Sequence, residues 1–305
     1  MKQVIRIGTR GSSLALWQAD YVQHTLERIH PGQRFERIII RTEGDQDQQS
    51  SLKAIGGQGV FTKAIETALL REEIDIAVHS LKDLPSTMEE NLILGAVPQR
   101  GPVEDVLVSR NGIPLNEMPM HAKIATGSIR RQSQILDKRP DIRISDLRGN
   151  IQTRLGKLDD QGLDAIVMAR AALIRLEIQN VKFHTFKTTE MIPAVGQGAI
   201  GIQVRIDDPY TLKLVGSMNH PETRMAITAE RALLRTLDSG CQFPVGAHAH
   251  IFGRSLEITG FVGQEDGTKV LRETIRDDAE NADKAGILLA EKLIKRGALR
   301  LLNVE

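Results

Sequence analysis

Short apolar, β-branched runs alternate with amphipathic stretches through the first two thirds of the chain, the pattern of strand–helix units built on a largely parallel sheet. The runs QVIRIGT at 3–9, RIIIRT at 37–42, DIAVHS at 75–80, LILGAV at 92–97, DVLVS at 105–109, KIATGS at 123–128, IRISDL at 142–147, DAIVMA at 164–169 and AIGIQV at 199–204 predict strands. Between them Leu14, Trp17, Tyr21, Val22, Leu26 and Ile29 recur at helical spacing, as do Phe61, Ile65 and Leu69, and both stripes are expected to pack into the core. From about residue 217 the pattern changes. A long helical stretch at 221–240 is followed by hairpin-like strands AHAHIFG, LEITGFVG and KVLRETIRD and a last helix, a smaller α+β unit.

Proline, glycine and charge concentrate in PQRGPVED at 98–105 and glycine in PAVGQGAIG at 193–201, so the chain is expected to cross between domains at both places. Two crossings suggest a hinge. The implied division is residues 1–98 with 198–216 as domain 1, 104–193 as domain 2 and 217–305 as domain 3, the first two α/β. The polar stretch EGDQDQQSS at 43–51 reads as a mobile loop.

Length supports this division, since 305 residues exceed what one core usually serves. Forty basic and thirty-nine acidic residues leave a formal charge of +1, which argues against a chain built as a whole to coat nucleic acid or an anionic membrane. Aromatic residues make up only 3%, few for stacking single-stranded bases. No apolar run reaches the length of a membrane span, and the N-terminal stretch lacks a signal-peptide core, so a cytoplasmic protein is expected. The single cysteine, Cys241, excludes an intrachain disulfide and a cysteine cluster for zinc, and no metal is expected.

Candidate chemistry gathers at strand ends. TRGSSLALWQ at 9–18, ATGSIRRQSQ at 125–134 and DLRGNIQTRL at 146–155 each run from a strand through a small or hydroxyl residue into a helix beside arginine. Unpaired N–H groups and the helix dipole favour carboxylate or phosphate there, and in open α/β sheets ligands bind at these carboxyl ends. Arg10, Arg130, Arg131, Arg148 and Arg154 are thus expected to face a common cleft, the plain alternative being surface ion pairs. In HSLKDLP at 79–85, Asp83 sits on a tight turn at a strand end beside Lys82, placed for acid–base or counter-charge work or for mere turn formation. Cys241 lies between Gly240 and Gln242–Phe243–Pro244 and is either a presented thiol or a small buried residue. His248 and His250 would share one strand face; with no complementary ligand nearby they read as solvent-side residues. GGQGVF at 56–61 lacks the ending of a phosphate-binding P-loop and reads as a hinge-like loop before a helix starting near Thr62.

Taken in order, TRGSSLALWQA, GGQGVFTKAIE, IDIAVHSLKDLP, ATGSIRRQSQ, DLRGNIQTRL, PAVGQGAIGIQ and SGCQFPVGAHA closely resemble the porphobilinogen deaminase family, with HSLKDLP and GCQFPVG the most specific. The resemblance implies two domains similar to periplasmic binding proteins and a third carrying the cofactor cysteine. It implies a transferase of tetrapyrrole (porphyrin, haem) biosynthesis that condenses four porphobilinogen molecules stepwise into linear hydroxymethylbilane, releasing four ammonia molecules, on a dipyrromethane cofactor held covalently by a thioether to Cys241. Carried over by position, Asp83 is catalytic; Ser80, Lys82, Thr126, Arg130, Arg131 and Arg148 hold the cofactor; and Arg10, Ser12, Arg148, Arg154 and Arg175 hold substrate. The expected partner is porphobilinogen alone, the enzyme acting as a monomer with no nucleic acid and no membrane. The chain departs from the family pattern at Gln58, where lysine is usual, with Lys53 or Lys63 able to compensate, and at Gln203, where glutamate is common.

Two rivals rest on the residues alone. A non-enzymatic carboxylate-binding protein could use the same two-domain cleft, because fold does not dictate chemistry. A thiol hydrolase would pair Cys241 with His79 or His248.

Overall fold

A computed structural model describes residues 2–42, 59, 61–238 and 243–302. The chain forms two compact units, Met1–Gly101 with Gly198–Arg224 and Pro102–Gln197 with Met225–Glu305. It passes between them inside the proline-rich and glycine-rich stretches, and again within a helix at 224/225.

The first unit holds a five-stranded sheet in the order β2-β1-β3-β10-β4. Its strands are β1 (Val4–Thr9), β2 (Arg34–Ile39), β3 (Ile76–Ser80), β4 (Leu92–Ala96) and β10 (Ile200–Arg205). β1 runs parallel to β2 and β3, while β10 lies antiparallel between β3 and β4. Ile5, Ile7, Ile76, Val78, Ile202 and Val204 are all buried and belong to one apolar core, which is why these central strands carry so strong an apolar signal in the sequence. Helix α1 (Ser13–Ile29) follows β1, and α2 (Lys63–Leu70) precedes β3. Asp75 anchors the far end of this sheet, accepting hydrogen bonds from Lys2, from the backbone and side chain of Arg6, and from Arg205.

In the second unit another five-stranded sheet has the order β7-β6-β8-β5-β9, from β5 (Asp105–Ser109), β6 (Lys123–Ala125), β7 (Arg143–Ser145), β8 (Ala165–Ala169) and β9 (Phe183–Thr185). The topology repeats that of the first: a parallel trio, then the first strand after a crossing inserted antiparallel, then an edge strand. Helices α3 (Ile129–Lys138), α4 (Ile151–Asp160) and α5 (Arg170–Arg175) connect it. A third, antiparallel sheet, β11 (Val245–Phe252), β12 (Ser255–Gly263) and β13 (Val270–Asp278), covers a core shared with α7 (Ala282–Lys295) and with the part of α6 (Pro221–Thr236) that belongs to this unit. Its Ala247 and Ala249 point inward, whereas His248 is half-buried and His250 exposed on the other face.

Several expectations need correction. The second strand spans Arg34–Ile39 rather than 37–42, because its pairing with β1 fixes the register and its edge position leaves most of it exposed. Strand β9 was not anticipated; three residues at a sheet edge carry too little pattern. On α1 the fully buried stripe is Gln18, Ala19, Val22 and Leu26, while Tyr21 and Ile29 are exposed. Ile65 and Leu69 are core, but Phe61 is only partly buried.

Candidate active site

Because β1 and β3 are parallel neighbours, their carboxyl ends emerge together on one edge of the first sheet. The turn after β1 supplies Arg10 and Ser12, and the 3₁₀ turn Leu81–Asp83 after β3 supplies Lys82 and Asp83. Arg10, Ser12, Gln18, Phe61, His79, Ser80 and Asp83 line one pocket. Ser12 caps α1 by accepting a hydrogen bond from Ala15 N at 3.4 Å. Gln18 lies on the buried face of that helix and donates to Ser80 Oγ at 2.8 Å, so an amide and a hydroxyl satisfy each other at the pocket wall. The Arg10 guanidinium lies over the Phe61 ring, 4.1 Å from its centroid.

Asp83 stands apart within this group. It is half-buried, and among the described residues its carboxylate accepts no hydrogen bond and makes no ion pair. The 3₁₀ turn ends at Leu84, whose N–H bonds to Leu81 O, and Pro85 follows, so a helix does not continue. Behind it His79 is 5% exposed, and its Nε2 lies 3.1 Å from Gln203 Oε1. Burial, together with the charge of Arg10 and against the Gln203 hydrogen bond, pushes the ring down to about 4, so it is neutral at ordinary pH.

The second unit places its candidates differently. β6 and β7 are parallel, so the turns holding Thr126 and Arg148 lie side by side. Gly127 permits the approach: a Cβ there would sit 2.7 Å from the Leu147 carbonyl oxygen. Thr126 Oγ1 accepts from Ser128 N, and the Ser128 hydroxyl makes no capping bond to α3, whereas Asn150 caps α4 through Thr153 N at 2.9 Å. The first-turn N–H groups of α3 therefore have no side-chain cap. The Arg148 side chain is 17% exposed; its buried Nε lies 3.4 Å from Asp146 Oδ2 and makes no hydrogen bond. Arg154 Nε donates to Gly149 O at 2.7 Å, and Arg175 closes the short helix α5, half-buried.

Arg130 and Arg131 do not present themselves as free cleft arginines. They are 4% and 6% exposed, and both engage Asp105, itself fully buried: Arg130 Nη2 lies 2.8 Å from Oδ2 and Arg131 Nη2 2.8 Å from Oδ1. Arg130 also donates to Ile192 O at 2.6 Å, Arg131 to Val167 O at 3.0 Å, and Gln197 to Asp105 at 2.9 Å. Burial alone would raise the Asp105 carboxyl, but the two arginines and the Gln197 amide hold it down at about 2.

Cys241, Gln58 and Lys53 lie outside the described residues. The rest of the cysteine motif is described from Phe243 onward. Gly246 packs where a Cβ would meet Pro193 O at 2.8 Å and Arg130 Cδ at 3.0 Å, and Ala247 N donates to Pro193 O, so β11 begins tied to the crossing stretch and to α3. Among the described residues no group of three His, Cys, Asp or Glu side chains could hold a metal, and no helix is long and apolar enough to cross a membrane.

Gln18 and Phe61 were missed as pocket residues, and His79 entered the sequence reading only as a rival nucleophile's partner. Gln18 was detectable as a polar residue one helical turn from Val22 on the core face. Phe61 shares its spacing with true core residues and carried no distinguishing signal.

The chain matches two family models, "Porphobilinogen deaminase, dipyromethane cofactor binding domain" over residues 5–213 and "Porphobilinogen deaminase, C-terminal domain" over 224–295. Curated relatives named porphobilinogen deaminase include those of Pelotomaculum thermopropionicum, 46% identical over 99% of this chain and 97% of the relative, and Geobacter metallireducens, 44% identical over 98% and 93%. Among solved structures, a probable amino-acid ABC transporter extracellular-binding protein of Bacillus subtilis is similar with a TM-score of 0.45 at 10% identity, covering 72% of this chain and 91% of that one.

Proposed function

The chain belongs to the porphobilinogen deaminase family, and from that premise we propose that the pocket at the carboxyl ends of β1 and β3 is where its substrate loses ammonia. The activity is that of a hydroxymethylbilane synthase, a transferase of tetrapyrrole biosynthesis that joins four porphobilinogen molecules into a linear tetrapyrrole on a dipyrromethane cofactor. A non-enzymatic binding role is not favoured.

The observation that carries the site assignment is the carboxylate of Asp83, unengaged among the described residues, in a pocket that also holds Arg10. Porphobilinogen carries an acetate and a propionate. Arg10 and the Ser12 hydroxyl are suited to hold such carboxylates, with Arg10 backed by the Phe61 face. As the aminomethyl C–N bond breaks and ammonia leaves, positive charge develops on the substrate pyrrole. Asp83, with no partner of its own among the described residues, stabilises that charge. The new C–C bond then forms at the methylene carbon, and the proton lost from the attacking ring carbon passes to the Asp83 carboxylate, which returns it to solvent or to the ammonia already released.

The dipyrromethane supplies a covalently held primer from which the chain grows. Its carboxylate side chains suit the donors of the second unit: Arg148 has a buried Nε without an acceptor, and α3 begins with N–H groups that no side chain caps. Arg148, Thr126 and the α3 terminus would hold it, with Arg154 and Arg175 nearest in kind for the growing chain. By the family resemblance Ser80 and Lys82 are further candidates for holding the cofactor. Arg130 and Arg131 would serve by fixing α3 through Asp105 and Ile192 rather than by direct contact. Cys241 would carry the thioether.

The three-domain division into 1–98 with 198–216, 104–193 and 217–305 belongs to the same proposal, supported by three sheets each with its own apolar core. So does a cytoplasmic monomer without a nucleic-acid partner, the last supported by a net charge of +1. The test is an intact mass of the purified protein: an excess of two pyrrole units mapped to the Cys241 peptide, lost in Cys241→Ser, is expected. An unmodified Cys241 in an active preparation would refute the attachment.

A further inference from the structure

Glycine and proline at 193–201 suggest a hinge, yet residues 192–197 are pinned along their length. Gln134, fully buried on α3, accepts from Ile192 N at 2.8 Å and donates to Ile192 O at 3.0 Å, and Arg130 donates to the same carbonyl at 2.6 Å. One residue on, Pro193 O accepts from Ala247 N of β11 at 3.0 Å. Glu230, fully buried on α6, then takes Gly196 N at 2.8 Å with one carboxylate oxygen and Ala249 N, also of β11, at 2.9 Å with the other. Gln197 closes the stretch by donating to Val103 O at 2.7 Å. A free hinge leaves its backbone groups to water; here buried side chains satisfy them, and removing one such partner strands a buried donor or acceptor.

Further contacts close the same seam. Ser133 Oγ donates to Gln264 O at 2.5 Å, just past the end of β12, and Arg272 Nη2 on β13 lies 2.7 Å from Asp137 Oδ2. Pro244 O accepts from Gly263 N at 3.0 Å, so the chain leaving Cys241 is held on β12 from its first described residues. Helix α3 thus grips both the 192–197 strap and the β12–β13 turn, and the strap grips β11. We propose that Gln134 and Glu230 are positioning residues for chain growth: by pinning the strap between α3 and β11 they fix the stem of the Cys241 loop, Pro244 and Val245, relative to the α3 start, Thr126 and Arg148 that would hold the cofactor. Primer and clamp then belong to one rigid body, and room for each added ring comes from elsewhere than the seam between the second and third sheets. A terminal ring held in this way keeps its orientation from one addition to the next, which raises its effective concentration at the methylene carbon.

The proposal rests on the reading that Cys241 carries the primer, and one labelled preparation tests the two apart. Spin labels on Asp160→Cys at the end of α4 and Lys292→Cys on α7, both exposed positions, report the distance across the seam in the full-length holoenzyme by pulsed electron resonance. Cys241, held in its thioether, takes no label. Samples frozen during porphobilinogen turnover, with the added rings counted by intact mass, should give one distance, constant within about 2 Å from the unreacted enzyme onward. A distance that moves further, or splits, as rings are added overturns the proposal while leaving the attachment standing. A third label, on Cys241, refutes the thioether and the proposal with it. Gln134→Met keeps most of the side chain's volume but removes two of the three hydrogen bonds that tie Ile192 to α3. Its kcat per cofactor-bearing chain should fall about threefold or more, with KM for porphobilinogen unchanged because the pocket at β1 and β3 is untouched. A merely structural glutamine would lower stability and the yield of loaded protein but leave kcat per loaded chain as it was, and that result also overturns the proposal.

Discussion

Two five-stranded sheets of the same strand order use an aspartate in opposite ways. In the first unit Asp83 follows β3 on a 3₁₀ turn, half-buried, with no ion pair among the described residues. In the second, Asp105 opens β5, is fully buried, and binds Arg130, Arg131 and Gln197 at once. A carboxylate that already holds two guanidinium groups cannot also answer a charge that appears during a reaction. One that holds nothing can. The difference separates a carboxylate left available for chemistry from one committed to the architecture more sharply than the identity of either side chain does.

The comparison breaks most visibly under paired substitutions. Asp83→Ala is expected to lower kcat by about a thousandfold, within the range for loss of a positioned acid–base group, while stability changes by only about 0.5 kcal/mol. Asp105→Ala should do the reverse in kind: a loss of about 3–5 kcal/mol in unfolding free energy, because two buried guanidinium groups lose their counter-charge. Denaturant unfolding and steady-state assays on both variants decide the matter. A stable Asp105→Ala would mean that solvent reaches the two arginines.

Acid sharpens the same contrast. The Asp105 carboxyl sits at about 2 in the folded protein against an ordinary 3.8, so folding is favoured by its ionisation. That stability is complete above about pH 4 and is lost as pH falls through about 2, amounting to about 2 kcal/mol. Unfolding curves between pH 5 and pH 2 should show this loss, and Asp105→Asn should start weaker but lose less over the same interval.

Arg148 tests the second unit where it is not architectural. Its Nε has no acceptor, so Arg148→Leu should leave the fold intact while the purified protein carries less cofactor, or binds porphobilinogen about tenfold or more weakly. Intact mass and KM measured on one preparation distinguish the two. Full cofactor content with unchanged kinetics would remove Arg148 from the carboxylate clamp.

How much of this was legible in the sequence follows from burial. β3, β5, β8 and β10 are buried along nearly their whole length and β1 along most of it, so each reads as a short, mainly apolar run, whereas β2 and β9 lie at edges, where exposure or shortness erases the pattern. Asp83 was legible because its turn is local: lysine, aspartate and a proline two residues on announce it. The pairing of Arg130 and Arg131 with Asp105 was not, since the partner lies about 25 residues earlier and an arginine beside a Gly-Ser turn looks the same whether it meets a ligand or a buried carboxylate. Their adjacency to the α3 start is real; their availability is what sequence could not reveal.

The smallest effect expected is at Phe61, which the helical spacing assigned to the core along with Ile65 and Leu69. Its ring is only partly buried and lies beneath the Arg10 guanidinium at 4.1 Å, close enough for the negative ring face to attract the cation. Phe61→Leu keeps an apolar side chain of similar reach but removes that face, at a cost of about 1 kcal/mol in the placing of Arg10. If Arg10 holds a substrate carboxylate, the loss should emerge as a rise of about fivefold in KM for porphobilinogen with kcat little changed, because the contact exists before and during the reaction alike. A variant whose KM stays put while unfolding free energy drops by about 1–2 kcal/mol, as when a core aromatic gives way to a smaller apolar side chain, would return Phe61 to the core and leave Arg10 positioned by other means.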